Sequence, residues 1–347
     1  MAPGAFRFFL ATVVLVFHYS SFGVGHTPVY LFFALSGYWV YSMWQQKYQS
    51  TRDPYLTFVI SRVWRLAPVF LLCSLAALAM VMILPHVIQP QVPFPPVEPH
   101  ALLSSFVILG YNTASGVPLV PAWSLDIELQ FYFLAPLVIV LLQKRPLLVS
   151  LAVLALSAVS IAVFYDRVMT SYLPWFVLGI LMAKYPAARP GKRLALWSAA
   201  LPLAVIAVFA GVPALRPVLF GGAVHSALYV AYNPLLNIGL AVLAVPFAFS
   251  TVTVRSGRFD RVLSDASYSL YLVHWLPLLF VAHYATHLSA LPSPWRALAT
   301  APLIVISFAL SALITLYVDR PCSHARERFV KQRSPSRETV RPMGVTN

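Results

Sequence analysis

Arg7 and His18 are the only ionisable side chains in the apolar run from Phe6 to His18. Eleven steps of about 100° return a helix to within about 20° of its starting direction, so the two share a face, about 16 Å apart along the axis. Ionisable groups in so apolar a run mark a functional site, or else an arginine reaching for headgroups and a histidine hydrogen-bonded between helices. A second concentration is Trp123-Ser124-Leu125-Asp126-Ile127-Glu128-Leu129-Gln130-Phe131-Tyr132. Ser124, Glu128 and Tyr132 recur every fourth residue and form one polar stripe on a helix, while Asp126 points elsewhere. A carboxylate beside an imidazole fixes its tautomer and raises its basicity, which suits a general base acting on a hydroxyl. His18 and Glu128 each lie about one turn from the outer end of an apolar helix and are expected to pair. The alternative is a structural polar clasp between helices.

Arg62 and Arg65, three residues apart, occupy neighbouring positions on one helical face. Guanidinium forks there suit phosphate, and positive-inside anchoring is the competing reading. His274, taken alone, reads as a core histidine. His283 and His287 have the spacing of two metal ligands but no acidic or cysteine neighbour in sequence, so no metal is expected. The two cysteines, Cys73 and Cys322, supply neither a disulfide framework nor a thiolate metal set.

The elements that must position these groups are membrane helices. With 60% hydrophobic and 10% charged residues and a mean hydropathy of +0.78, the chain is excluded from the soluble globular class, where about 25% charged residues are usual. The composition predicts an all-α polytopic integral membrane protein of about ten spans. Their cores are Ala5 to Phe22, Val29 to Trp44, Leu66 to Leu84, Ser124 to Leu142, Leu147 to Phe164, Leu173 to Lys184, Leu194 to Ala210, Leu235 to Phe249, Tyr268 to Ala285 and Leu298 to Val318. With both termini inside, all of the 24 Lys and Arg residues except Arg167, Arg216 and Arg296 fall on the inner face. Short inner loops collect basic residues for topological reasons, so the net charge of +14 is explained without nucleic acid.

Asp53-Pro54 reads as an N-cap and first helical residue opening an interfacial helix from Tyr55 to Trp64, separate from the third span. The proline-dense segment from Pro85 to Ala122 reads as extended structure covering the outer side. Within it, Leu102 to Leu109 is too short to span and reads as re-entrant or interfacial. No cleavable signal peptide is evident. Residues 1–320 form one membrane domain, and 321–347 read as a basic, disordered inner tail.

In this order the segments resemble the membrane-bound acyltransferase 3 family, in its stand-alone form, from Arg7 to Pro321. The matching pieces are Arg7 with His18, Phe32-Phe33-Ala34-Leu35-Ser36-Gly37, Arg62 with Arg65, Trp123 to Tyr132, and Ser267-Tyr268-Ser269-Leu270-Tyr271-Leu272-Val273-His274. Two departures are Pro28-Val29-Tyr30, where the family has Gly-Val-polar, and Asp319-Arg320-Pro321, where it has Glu-x-Pro. The resemblance implies an enzyme of the bacterial cytoplasmic (inner) membrane. It would move an acyl group, acetyl in the usual case, from cytoplasmic acyl-CoA to a hydroxyl of a carbohydrate such as an exopolysaccharide or a lipid-linked glycan. Acyl-CoA is then a substrate, and no cofactor is permanently bound. His18 and Glu128 become the catalytic pair; Arg7, Arg62, Arg65 and His274 the donor contacts; Ser36, Trp123, Ser124, Asp126 and Tyr132 the acceptor contacts. The competing class is a transporter or flippase of a lipid-linked sugar with a His/Glu proton relay, and the paired repeats common in such proteins are not visible here.

Overall fold

A computed structural model describes residues 1–83, 97–221, 225–279 and 293–334. The helices are α1 (Pro3–Tyr19), α2 (His26–Met43), α3 (Pro54–Ile83), α4 (Pro99–Val107), α5 (Trp123–Lys144), α6 (Pro146–Phe164), α7 (Met169–Lys184), α8 (Lys192–Gly211), α9 (Arg216–Leu219), α10 (Ala227–Thr251), α11 (Arg258–Val273), α12 (Ser293–Ile314) and α13 (Arg320–Gln332). Among the described residues the sole β pairing is an isolated bridge between Phe22 and Phe220. Six helical segments there are long and apolar enough to cross a membrane, and α1 is a shorter apolar helix. A helix lies on every one of the ten apolar segments of the sequence, the part of the ninth beyond 279 falling outside the described residues. Leucines and valines of α6 and α8 face outward, as lipid contact requires.

Close helix crossings build the bundle. A Cβ on Gly37 of α2 would lie 2.0 Å from the Phe176 carbonyl oxygen of α7, and one on Gly179 would lie 1.9 Å from that of Ala34. Without a hydrophobic drive between helices in lipid, such backbone approach supplies the packing. Around this crossing Phe33, Phe131 and Phe176 stack, the last two with centroids 4.0 Å apart. Polar clasps fix the rest. The Asn237 side chain of α10 accepts from the Thr27 amide at 2.9 Å and donates to the Gly23 carbonyl at 2.9 Å. At the start of α1, the Asp260 carboxylate of α11 accepts from the amides of Gly4 and Ala5 at 3.1 and 2.7 Å. It satisfies donors that every helix N-terminus leaves open. This capping sets the depth of α1, and therefore of Arg7.

The structure departs from the sequence reading at three places. The separate interfacial helix is absent: α3 runs unbroken for 30 residues with Pro68 inside it. Membrane helices tolerate an internal proline because neighbouring groups and local adjustment re-satisfy the freed backbone. Pro54 does begin the helix, but Asp53 takes a φ of +51° and its carboxylate lies 3.8 Å from Arg52 instead of adopting the extended backbone of an N-cap. Residues 321–332 of the expected disordered tail belong to α13, with Val330 buried and Phe329 5.8 Å from Trp64. An amphipathic helix with an apolar stripe on α3 buries surface that a polar composition conceals. The Leu102 to Leu109 segment is the short helix α4 and its exit turn. Residues 84–96, with most of the expected proline cover, and 335–347 lie outside the described residues.

Gly179→Ala should destabilise the protein by at least about 1–3 kcal/mol, because the methyl meets backbone that has little room to yield. Gly239→Ala, where nothing lies within 4 Å, should leave the melting temperature unchanged or raise it. Thermal denaturation in detergent compares the two.

Candidate active site

One cavity of about 380 Å³ opens among α1, α2, α3, α5, α11 and α13. Its basic lining is Arg7, Arg62, Arg65, Arg261 and Arg326, and its acidic lining is Glu128, Asp260 and Asp265. The acids are already engaged. Glu128 accepts from Tyr132 at 2.5 Å and from Ser36 at 2.7 Å; Asp260 caps α1; Asp265 lies 3.6 Å from Arg320.

The two arginines of α3 are held differently. Arg65 is bridged to Asp319 at 2.7 Å and lies over the Tyr268 ring. Arg62, 7% exposed, donates to the Tyr48 hydroxyl at 3.0 Å and sits over the rings of Tyr48, Phe58 and Tyr132. Each polar partner comes from a π-helical turn, Tyr48 from Trp44–Tyr48 and Asp319 from Thr315–Asp319. A π turn inserts an extra residue and re-aims the side chains after it, as is common at functional sites. The Nε atoms of Arg7 and Arg62 are buried without a hydrogen-bond partner among the described residues. Such donors, left open beside surplus positive charge, favour an anion.

Beyond the cavity lies a cluster of aromatic rings and histidines. The rings of His18 and His274 are 5.3 Å apart, and Trp275 is 5.2 Å from His18. His26 approaches through Phe17 at 6.3 Å and Trp123 at 5.9 Å. His274 is fully buried; its Nδ1 lies 3.0 Å from the Leu270 carbonyl, and its Nε2 has no partner among the described residues. A carbonyl only accepts, so Nδ1 carries the proton and Nε2 keeps its lone pair. Tyr19, next to His18, donates to the His274 carbonyl at 2.9 Å and ties α1 to the turn that ends α11. Between the cavity and this pair stand Ser124 and Tyr271, with their hydroxyl oxygens 2.7 Å apart. Both line the cavity, and the Tyr271 ring is 6.4 Å from that of His274.

The structure thus brings Arg7, Arg62, Arg65, Ser36, Ser124, Glu128 and Tyr132 to one cavity. It does not pair His18 with Glu128. Glu128 is about 7.5 Å deeper along α5 than Trp123, and its oxygen is taken by Tyr132 and Ser36. His274, expected at the donor, instead neighbours His18 and lies outside the cavity lining. Asp126, expected at the acceptor, is fully buried and accepts from the Asn112 amide at 2.9 Å and Gln130 at 2.8 Å. Its two-residue offset from Glu128 turns it to that structural role. Trp123 is outside the cavity lining and faces His26, Phe33 and Tyr172. Sequence reasoning missed Tyr19, His26, Tyr48, Asp260 and Arg326; Asp260, in the first turn of α11, was the most findable as a polar group near an inner boundary. His283 and His287 lie outside the described residues, and among those described no group of three metal-ligating side chains gathers.

Apolar outer faces around a basic cavity with a histidine pair beyond it define a multi-pass membrane enzyme. The chain belongs to the acyltransferase 3 family, whose model, an acyltransferase domain, matches residues 3–317. It is therefore a membrane acyltransferase, and the transporter reading falls away. It is 27% identical over 275 residues to the exopolysaccharide production protein ExoZ of Rhizobium meliloti (strain 1021), covering 75% of this chain and 79% of that protein. No solved structure matches.

Asp319→Asn removes the charge facing Arg65 and should cost about 3 kcal/mol, the scale for stranding one partner of a largely buried pair. Asp319→Glu should retain most of the stability. Chemical denaturation in micelles distinguishes them, and equal losses would show that the ion pair is not what matters at this position.

Proposed function

We propose that this acyltransferase moves an acyl group from acyl-CoA, acetyl-CoA in the first instance, to a hydroxyl of an exopolysaccharide or its lipid-linked precursor. The supporting observation is the division of the bundle into a cavity with unpaired guanidinium groups and, beyond it, a pair of imidazoles with one lone pair held open. Arginine forks at the inner end suit the phosphates of CoA, and the length of α1 between Arg7 and His18, about 16 Å, matches an extended pantetheine arm. The name of the relative from Rhizobium meliloti supports the choice of acceptor. The distribution of basic residues supports a chain with both termini inside, in the bacterial inner membrane.

On this reading His18 takes the proton of the acceptor hydroxyl as its oxygen attacks the thioester carbonyl carbon. The tetrahedral centre then expels the CoA sulfur, which takes that proton from His18 and leaves as the thiol, returning His18 to its neutral form. His274, with Nδ1 committed to Leu270, shares the positive charge that His18 gains. Glu128 acts in the cavity, where it orders Tyr132 and Ser36 and balances the arginines. The Ser124–Tyr271 contact stands between donor and histidines, so entry of the acyl arm breaks it.

Purified protein incubated with radiolabelled acetyl-CoA and a surface glycan should transfer label to the glycan, and release of CoA should require the acceptor. His18→Ala should lower turnover by about 10²–10⁴-fold, the scale of a lost general base, while CoA still binds. Near-normal turnover in that variant would remove His18 from the role. Arg62→Ala should weaken CoA binding by about 1.5–3 kcal/mol, measured by calorimetry.

A further inference from the structure

Arg326 lies in a segment that follows the residues matched by the family model, on the helix that the composition conceals. Helix α13 folds back along α3 through the Trp64–Phe329 contact, the buried Val330 and the Arg52 amide donating to the Arg333 carbonyl at 2.8 Å. This return brings Arg326, seven residues or about 10 Å of helix beyond Asp319, into the cavity lining. Arg261, in the first turn of α11, lines the same inner end.

Among the described residues neither has an ion-pair partner; burial and the charges of Arg65 and Arg62 act against Arg326, with Glu327 and Asp319 as the opposing charges near it. Like charges gathered at one partly desolvated mouth repel unless an anion lies among them. Arg62, only 7% exposed and with an unpartnered Nε, faces the same space. The cavity thus has more cationic positions than one phosphate group needs, spread from Arg7 and Arg62 inward to Arg326 and Arg261.

We propose that Arg326, supported by Arg261, forms a second anion subsite that takes the 3′-phosphomonoester on the ribose of the CoA donor. The inference rests on the acyl-CoA reading above. CoA carries two phosphate groupings: the diphosphate leads to the pantetheine arm, and the 3′-phosphate sits on the ribose, further from the thioester. With the thioester directed toward His18, the diphosphate falls to Arg62 and Arg7 and the 3′-phosphate to the inner end. The helix after the last membrane segment therefore acts as a specificity element for the donor's far end.

The test compares kcat/KM for acetyl-CoA and acetyl-dephospho-CoA, which lacks only the 3′-phosphate, in the full-length protein in detergent. The native protein should prefer acetyl-CoA by about tenfold or more, the scale of a charged hydrogen bond. Arg326→Gln should remove most of that preference, its kcat/KM falling about tenfold further with acetyl-CoA than with acetyl-dephospho-CoA, and an unchanged thermal melt reports an intact fold. Arg326→Lys should keep part of the preference, and Arg328→Gln, on the exposed side of α13, should keep all of it. Equal use of the two donors by the native protein, or an equal loss with both in Arg326→Gln, would overturn the subsite while leaving the acyl-CoA reading standing. Turnover of neither donor would overturn both.

Discussion

Guanidinium groups inside an apolar helical bundle need partners, and the bundle is arranged around supplying them. Arg65 receives Asp319 from the π turn between α12 and α13, and Arg62 receives Tyr48 from the π turn after α2 together with three aromatic faces. Asp260 pins the start of α1 and so sets the height of Arg7. Each partner comes from a different segment of the chain, so the cavity end of the bundle is tied together through the same charges that line the cavity. Compensation is incomplete, with Arg7 and Arg62 retaining buried Nε atoms that no described residue partners. A fully paired set would favour the empty protein; a partly paired one leaves interaction energy for an anionic substrate.

The half of the bundle that holds the histidines follows a different logic. Its histidines sit among aromatic rings and away from the acids of the cavity, and a single backbone hydrogen bond fixes the tautomer of His274. Tyr19 clamps the turn carrying His274 to the end of α1 carrying His18, so the imidazole pair is held by backbone as well as by ring packing. The hydroxyls of Ser124 and Tyr271 mark the boundary between the two halves. At the α2–α7 crossing Gly37 and Gly179 allow contact between main chains.

Much of this was legible locally. The shared face of Arg7 and His18, the stripe from Ser124 to Tyr132 and the adjacency of Arg62 and Arg65 follow from helical spacing, and apolar segment length placed the helices. What spacing does not encode is which helix faces which. Glu128 and His18 each read as groups one turn inside the bilayer, yet rotation of α5 gives Glu128 to Ser36 of α2. The sequence reads as two helices parted between Trp64 and Leu66, but tertiary support carries α3 through that point and through Pro68. The polar composition after Asp319 reads as disorder because the few apolar residues that hold α13, Phe329 and Val330, act only against Trp64 and its neighbours. With Arg326 at the donor's 3′-phosphate, donor specificity depends on that contact, made across more than 250 residues of chain.

The most direct measurement is a structure of the protein bound to an acyl-CoA analogue in which a methylene replaces the thioester sulfur. The expected complex has the diphosphate within hydrogen-bond distance of Arg62 and Arg7, the chain passing a separated Ser124–Tyr271 pair, and the carbonyl carbon beside His18 and His274. A carbonyl group resting at Glu128, with the Ser124–Tyr271 contact intact and the histidines untouched, would contradict acyl transfer at the imidazole pair.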